Sequence, residues 1–291
     1  MAKREFEFED WFIENLGDFY CQGFKIIGRL EREKTPYQTL EIYETERVGK
    51  LMVLDGCVML TEAHEFAYHE LLVHVPLSVH PRPESVLVIG GGDGGTIRET
   101  LKHKSVRRAV QCEIDEAVTR SSQKYFPQLT EWIGNDERAE LVFDDGIKYI
   151  KEHRGEFDVI LVDSTDPIGP AVGLFTSEFY SSVSEALKPE GILTCQGESP
   201  WHMINEVVSL LGELNKAYDH LGYYIGHVPC YPGATWGFGI ASNARHNFEK
   251  PLNPALAEEI SRDCKYYTPQ IHAASFALPK FVNELIKGIT K

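Results

Sequence analysis

The sequence has no long apolar run and no apolar leader at its start. Its apolar runs are short, such as residues 86–89, whereas a membrane-spanning helix needs about 20 apolar residues. The first residues, Met1-Ala2-Lys3-Arg4-Glu5-Phe6-Glu7, carry no signal-peptide core. These absences predict a cytoplasmic protein that does not enter a membrane.

Paired cysteines are also missing. The six cysteines are scattered, and none forms a C-x-x-C pair: Cys21, Cys57, Cys112, Cys195, Cys230 and Cys264. Zinc sites and disulfide frameworks need tighter or more regular spacing. We therefore expect reduced, mostly buried thiols.

Basic residues are few, since 29 Lys and Arg stand against 44 Asp and Glu, for a net charge of −15. This balance argues against nucleic acid as a partner, because a phosphate backbone needs a basic surface. An acidic surface can concentrate a cationic substrate. Solubility alone is a sufficient explanation of the same charge.

The first third of the chain differs from the remainder. Residues 22–62 alternate apolar and polar residues in short segments with turn signals, which predicts a small antiparallel β unit. Residues 65–75 predict a helix, and the prolines of 81–83 mark a break. We predict an N-terminal β domain over 1–64 and a second domain over 65–291.

From residue 84 onward, strands and helices alternate. Continuous apolar runs predict buried parallel strands at 86–90, 108–114, 140–144, 158–163 and 191–196. Helices are predicted between them, for example at 116–126 and 176–187, and two edge strands at 223–229 and 236–242. The predicted fold is α/β: a Rossmann-like, open, mostly parallel sheet similar to that of class I methyltransferases.

A glycine loop follows the first of these strands. Gly90, Gly92 and Gly95 satisfy G-x-G-x-x-G between a strand and a helix, which indicates a nucleoside-type ligand. Glu113 ends the next strand, where a carboxylate accepts ribose hydroxyls. Asp145 follows the third strand, within reach of an adenine amino group. Each carboxylate could instead cap a helix.

Asp93 lies inside the glycine loop and narrows the choice of ligand. A dinucleotide places its pyrophosphate at this helix N-terminus, and Asp93 would repel it. A nucleoside without phosphates, such as an S-adenosyl compound, fits better. Asp93 matches an ammonium on the ligand's arm and not a carboxylate.

A second acidic loop follows strand 158–163, with Asp163 and Asp166 three residues apart. The carboxyl end of a central strand is where α/β sheets place their ligands. The two aspartates could also be turn formers, and together with Asp93 they could bind a metal. His64 begins an apparent H-E-x-x-H motif, but Tyr68 occupies its second ligand position. We predict cationic amines as ligands, and no metal.

Together these residues resemble the polyamine aminopropyltransferase family, in particular spermidine synthases. The resemblance covers nearly the whole chain. It rests on the glycine and aspartate loops and on these segments: Leu54-Asp55-Gly56, Thr61-Glu62, Glu65-Phe66-Ala67-Tyr68-His69-Glu70, Pro229-Cys230-Tyr231-Pro232 and His272-Ala273-Ala274-Ser275-Phe276-Ala277-Leu278-Pro279.

The resemblance implies transfer of an aminopropyl group from decarboxylated S-adenosylmethionine to a diamine, usually putrescine, giving spermidine and 5′-methylthioadenosine. It implies contacts to the adenosine and thioether from Gln38, Glu113, Asp145, Gly146 and Pro170, beside the loop glycines Gly90 and Gly92. It implies contacts to the aminopropyl group from His69, Asp93 and Asp163, and to the diamine from Tyr68, Asp166, Glu198 and Tyr231. Asp163 is the implied proton acceptor, and a homodimer or homotetramer without a prosthetic group is the implied form.

Two positions vary from the family pattern. Met59 stands where some members carry Gln, and His64 stands where the family usually has Asp. The second change leaves the acceptor open among putrescine, cadaverine, agmatine and spermidine. An S-adenosylmethionine methyltransferase and a non-catalytic polyamine or nucleoside sensor remain as alternative functions.

Overall fold

Two β-sheets form the framework of the computed structural model, which describes residues 10–167 and 169–290. The first sheet is antiparallel, and its five strands follow chain order: β1 Trp11–Leu16, β2 Tyr20–Lys34, β3 Thr39–Thr45, β4 Lys50–Leu54 and β5 Cys57–Thr61. The predicted β unit is confirmed, but its start at residue 22 was placed too late. Strand β1 is a half-buried edge strand, and its weak apolar alternation gives little signal before it pairs with β2.

The second sheet has seven strands in the order β11-β12-β10-β9-β6-β7-β8. Neighbours from β10 to β8 are parallel, and β12 is antiparallel to both β10 and β11. The bounds are β6 Ser85–Gly90, β7 Arg108–Glu113, β8 Ala139–Phe143, β9 Phe157–Asp163, β10 Leu187–Gln196, β11 His220–His227 and β12 Thr235–Ser242. The predicted α/β fold with an open, mostly parallel sheet is confirmed.

Helices connect the strands, as the apolar periodicity predicts. They are α1 Glu65–Val79, α2 Gly95–Leu101, α3 Glu116–Tyr125, α4 Pro127–Thr130, α5 Gly146–Glu152, α6 Ser177–Ala186, α7 Ile204–Ala217, α8 Pro254–Ser261, α9 Pro269–Ser275 and α10 Lys280–Ile286. Helix α1 continues past the predicted end at residue 75 and includes Pro76. Pro76 gives up one helical hydrogen bond, and burial of nearly the whole helix keeps it intact. The domain boundary at residue 64 stays a prediction.

The topology decides where a ligand can bind. Strands β6 and β9 are neighbours in the middle of the sheet, with Gly90 paired to Asp163 at their carboxyl ends. Chain order reverses between these two strands, and loops diverge there to leave a crevice. Apolar side chains such as Leu87 and Ile160 pack the sheet below it. Among the described helices, none has the length and apolar character that a membrane span requires.

Candidate active site

The glycine loop and the end of β9 touch through their backbones. Gly90 has φ +82°, a left-handed conformation that favours glycine. A Cβ at Gly90 would collide with the backbone oxygen of Asp163. The Gly91 N–H donates to that same oxygen at 2.8 Å. This close approach brings the two acidic loops into one site.

A cleft opens at this point and leaves about 1260 Å³ free of protein atoms, open solvent at its mouth included. Sites for small organic ligands commonly fill several hundred Å³. Most of the predicted site residues line the cleft: Gln38, Tyr68, Gly90, Gly92, Asp93, Glu113, Asp145, Gly146, Asp163, Asp166 and Tyr231. The predicted meeting of these residues is therefore observed, and their individual roles stay predictions.

Three predicted residues stand apart from this set. His69 lies behind the wall of the cleft and contacts it through Asp93. Glu198 lies behind Gln196, whose side-chain amide donates to it. Pro170 belongs to a 3₁₀ segment, Gly169–Phe175, and its side chain falls outside the described part of the chain.

One end of the cleft suits a nucleoside. Burial raises the pKa of Glu113 to about 7, although the backbone N–H groups of Asp115 and Gly92 donate to its carboxyl and oppose the shift. A buried carboxyl that keeps free acceptor capacity can receive ribose hydroxyls. Gln38 reaches the same end of the cleft and donates to Asp115 at 2.9 Å.

Asp145 is placed so that it caps a helix and also lines the cleft. Its side chain caps α5 by accepting the Ile147 N–H at 2.8 Å, as strand–Asp–helix patterns predict. It also lines the cleft, next to Gly146. Its neighbour Asp144 points elsewhere and pairs with Lys148 at 3.1 Å.

Asp163 lies at the centre of the cleft with both carboxyl oxygens engaged. Tyr68 donates its hydroxyl to Oδ1 at 2.8 Å, and Thr96 donates to Oδ2. Burial and the nearby Asp93 raise the pKa of Asp163, and His69 opposes the shift. A carboxylate with a raised pKa and a fixed orientation is suited to accept a proton. Sequence reasoning gave no signal for Thr96.

Asp93 faces Asp163 from the glycine loop. Its Oδ1 accepts the Gly95 N–H at 2.7 Å and lies 3.2 Å from His69 Nε2. The ligand atoms of His69, Asp93 and Asp163 lie within 4.8 Å of one another. His69 Nδ1 is hydrogen-bonded to Glu65 at 2.7 Å, and His69 Nε2 lies 3.2 Å from Asp93, so each ring nitrogen already faces a carboxylate. Two carboxylates facing one space then favour an ammonium over a metal.

A second cavity of about 520 Å³ joins the cleft. Tyr68, Asp166 and Tyr231 line both, and Glu14, Gln196 and Trp236 line the second. Burial raises the pKa of Glu14 to about 7 and that of Asp166 to about 6. Neither carboxyl has an ion-pair partner among the described residues, and both line a cavity that shares lining residues with the cleft, which suits the binding of a second cationic group.

Glu198 supports this second cavity from behind. It accepts from Gln196 at 3.0 Å, and its Oε2 has no hydrogen-bond partner among the described residues. Its backbone is left-handed, with φ 64°, a conformation that costs a non-glycine residue about 1 kcal/mol or more. Burial and the nearby Asp166 raise its pKa well above the ordinary value.

Three residues of the second cavity were not predicted as site residues from the sequence: Glu14, Gln196 and Trp236. Glu14 is 7% exposed, within the strand Trp11–Leu16. An acidic residue among apolar strand residues was the available signal. Gln196 and Trp236 gave none, because their position follows from the pairing of β10 with β12.

Met59 and His64, the two positions that vary from the family pattern, differ in their distance from the cavities. Met59 lines both cavities, and its backbone oxygen accepts the Tyr231 hydroxyl at 2.8 Å. His64 precedes α1 and lies 3.2 Å from the Thr61 hydroxyl. It is outside the lining of both cavities.

Two family models match the chain. A spermine/spermidine synthase domain covers residues 65–251, and a spermidine synthase tetramerisation domain covers residues 11–62. The chain belongs to the spermine/spermidine synthase family. The resemblance read from the sequence is confirmed, and the chain is an enzyme that transfers aminopropyl groups.

Curated relatives agree with this membership. A polyamine aminopropyltransferase of Thermoanaerobacter sp. strain X514 is 49% identical over 97% of this chain and 100% of its own length. One of Clostridium tetani is 45% identical over 95% and 97%.

Solved structures give the same result. A spermidine synthase crystallised with the transition-state analogue AdoDATO has a TM-score of 0.91 and 37% identity, covering 95% of this chain and 94% of that one. Spermidine synthase of Thermotoga maritima has a TM-score of 0.88 and 36% identity, covering 95% and 93%.

Proposed function

We propose that this family member is a spermidine synthase, which transfers the aminopropyl group of decarboxylated S-adenosylmethionine to putrescine. The observation that carries the proposal is the facing pair of carboxylates, Asp93 and Asp163, beside a nucleoside site and next to a second acidic cavity. Such an arrangement provides for a nucleoside, for a cationic arm and for a separate cationic acceptor. The relatives' names and the structure with AdoDATO support it.

In the proposed complex, Glu113 holds the ribose, and Asp145 and Gly146 contact the adenine. Asp93 pairs with the ammonium of the aminopropyl arm. The same carboxylate repels the carboxylate that S-adenosylmethionine carries, which selects the decarboxylated compound. The carbon bonded to the sulfonium then lies near Asp163.

The acceptor binds across the two cavities. One amine lies beside the Tyr68–Asp163 hydrogen bond, within reach of both side chains, and the distal ammonium lies in the second cavity with Asp166 and Glu14. The two cavities are contiguous, so an unbranched diamine can span them. Glu198 lies behind the distal end, where a bound ammonium would favour ionisation of its buried carboxyl.

The chemical step depends on a neutral nucleophile. An alkylamine has a pKa of about 10, so it arrives protonated, and Asp163 accepts its proton. The amine lone pair attacks the carbon beside sulfur; a C–N bond forms, the C–S bond breaks, and its electrons leave the sulfur as a neutral thioether. The products are methylthioadenosine and a secondary ammonium. Holding the reactants in line supplies much of the rate.

We also infer a homodimer or homotetramer, since the family model over residues 11–62 is named for tetramerisation, and a cytoplasmic enzyme with no prosthetic group. Incubation with decarboxylated S-adenosylmethionine and an amine panel, followed by mass spectrometry, tests the function. Spermidine and methylthioadenosine from putrescine support it. Preference for cadaverine, agmatine or spermidine would reassign the acceptor, methylated amine would indicate a methyltransferase, and binding without product would indicate a sensor.

A further inference from the structure

Four side chains of alternating charge run from the protein surface to the cleft. Arg98 donates to Glu65 through both terminal nitrogens, at 3.0 and 2.9 Å. Glu65 Oε2 lies 2.7 Å from His69 Nδ1, and His69 Nε2 lies 3.2 Å from Asp93 Oδ1. We call this set (Arg98, Glu65, His69 and Asp93) the ionic row.

Local structure holds the ionic row in place. Glu65 is the first residue of α1, and His69 lies one turn further on, so their side chains share a helix face. Arg98 comes from α2 and is fixed by Glu99, which accepts its Nε–H at 2.8 Å. A Cβ at Gly95 would overlap the imidazole ring, so the ring packs directly against the start of α2.

The geometry fixes the protonation of His69. Each ring nitrogen faces a carboxylate oxygen, so both nitrogens must donate, and the ring is an imidazolium. Burial opposes the charge, yet Asp93 and Glu65 together raise the pKa of His69 well above its ordinary value. Burial would likewise raise the pKa of Glu65, but His69 and Arg98 lower it to about 2.

Only the last member of the ionic row lines the cleft. His69 is 2% exposed and Glu65 is 5% exposed, so Glu65 can affect a substrate only through His69 and Asp93. The imidazolium also matters to Asp163, because Asp93 and Asp163 repel each other and His69 offsets that repulsion. Without a charged His69, two like charges would face each other unrelieved.

We propose that Glu65, clamped by Arg98, is a positioning residue for aminopropyl transfer. It keeps His69 doubly protonated, with Nε2–H directed at Asp93. Asp93 is thereby oriented to hold the aminopropyl ammonium, and Asp163 stays ionised and ready to take a proton from the acceptor. This inference rests on the proposed function for its catalytic consequence, but the state of His69 can be measured without turnover.

The decisive variant is Glu65→Gln, which keeps the shape and removes the charge. The pKa of His69 falls, because burial then acts against the imidazolium with one carboxylate fewer. The imidazole ¹⁵N shifts of His69, assigned by comparison with His69→Gln, should show a neutral ring at pH 8 in the variant and a charged ring in the parent.

The pH dependence of turnover is a second measure of the lost charge on His69. With His69 neutral, Asp163 loses a favourable neighbour, so its pKa rises and the acidic limb of kcat/KM moves to higher pH, by about one unit. On the acidic limb of the profile the rate should fall, by at most about tenfold for a shift of one unit, and it should recover toward pH 9. Affinity for methylthioadenosine, which has no ammonium arm, should stay within about twofold. The groups around His69 and Asp163 that contribute to this profile are Glu65, Tyr68, Asp93, Thr96, Arg98, Glu113 and Tyr231.

Glu178→Gln is the matched control. Glu178 also lies in the first turn of a helix, α6, and pairs with Lys151 on the surface, so its profile should equal the parent's. Arg98→Lys is the second variant, which keeps the charge and loses the paired contact with Glu65. It should shift both readouts in the same direction as Glu65→Gln, to a smaller extent.

A His69 that stays charged at pH 8 in Glu65→Gln, or an unchanged pH profile, would overturn the inference. If Glu65→Gln does not fold, an Arg98→Lys protein with the parent's shifts and profile would overturn it equally. Failure of the proposed function looks different: the parent itself then forms no aminopropyl product, while the His69 titration still reports on the ionic row.

Discussion

Asp163→Asn tests the centre of the proposed mechanism. The substitution keeps the size of the side chain, which matters because Gly90 and Gly91 pack against this residue. One oxygen can still accept from Tyr68 or Thr96. The change removes the proton acceptor, and general-base catalysis contributes about 10²–10⁴-fold. The corresponding rise in the barrier is roughly 2.7–5.4 kcal/mol.

The pH dependence makes this test specific. Above the raised pKa of Asp163 the parent holds an ionised base, and its kcat/KM should level off. The Asn variant depends on free amine from solution, whose fraction grows about tenfold per pH unit below a pKa of about 10. The variant's rate should therefore keep climbing from pH 7 to 9.5.

The assay is methylthioadenosine release at saturating decarboxylated S-adenosylmethionine over a series of putrescine concentrations, followed by chromatography, which gives both kcat and kcat/KM at each pH. Calorimetric titration with methylthioadenosine checks that the nucleoside site is intact. A turnover within tenfold of the parent at pH 7.5 would refute the role of Asp163. So would an equal deficit at every pH with nucleoside binding preserved.

Three further predictions concern the neighbouring groups. Asp93→Asn should bring the affinities of decarboxylated and ordinary S-adenosylmethionine within about tenfold of each other, because the charge that separates them is gone; calorimetry that finds the parent's preference unchanged would contradict this. Putrescine binding near pH 6.5 should release protons, because Glu14 and Asp166, with pKa values of about 7 and 6, ionise beside a cation. Calorimetric titration in buffers of different ionisation enthalpy measures the number of protons released. The Glu14→Gln variant should release fewer. Gly90→Ala should lower the thermal midpoint by several degrees and weaken methylthioadenosine binding at least tenfold, because its Cβ meets the backbone of Asp163 at a left-handed φ.

Much of the fold could be read from the chain because buried parallel strands are continuous apolar runs. The runs around 86–90 and 158–163 became β6 and β9. The least visible element was β1, whose burial depends on pairing with β2 across a turn. The apolar residues of β1 do not alternate with polar ones, since Trp11, Phe12 and Ile13 are consecutive, so the period-2 pattern of a half-buried strand is absent from its sequence.

The candidate active site likewise contains residues that the sequence predicted and residues that only the structure revealed. Gly90, Asp93 and Asp163 were recognisable because each lies at or just after the carboxyl end of a strand, and these strand ends meet in an open α/β sheet. Glu14 and Gln196 were not recognisable, because they reach the second cavity from strands distant in sequence. The place of His69 behind Asp93, rather than in the cleft wall, also depended on how α1 packs against α2.

The sequence by itself therefore determined the α/β architecture, the nucleoside loop and the acidic character of the ligand site, since these depend on local periodicity and on residues beside strand ends. The tertiary structure decided which acidic groups share a cavity, which lie behind it, and in what protonation state. Those properties depend on burial and on distances of a few ångströms between side chains that are far apart in the sequence, such as Arg98 and Glu65. They also depend on the low dielectric of the protein interior, which strengthens the interaction between charges at such distances.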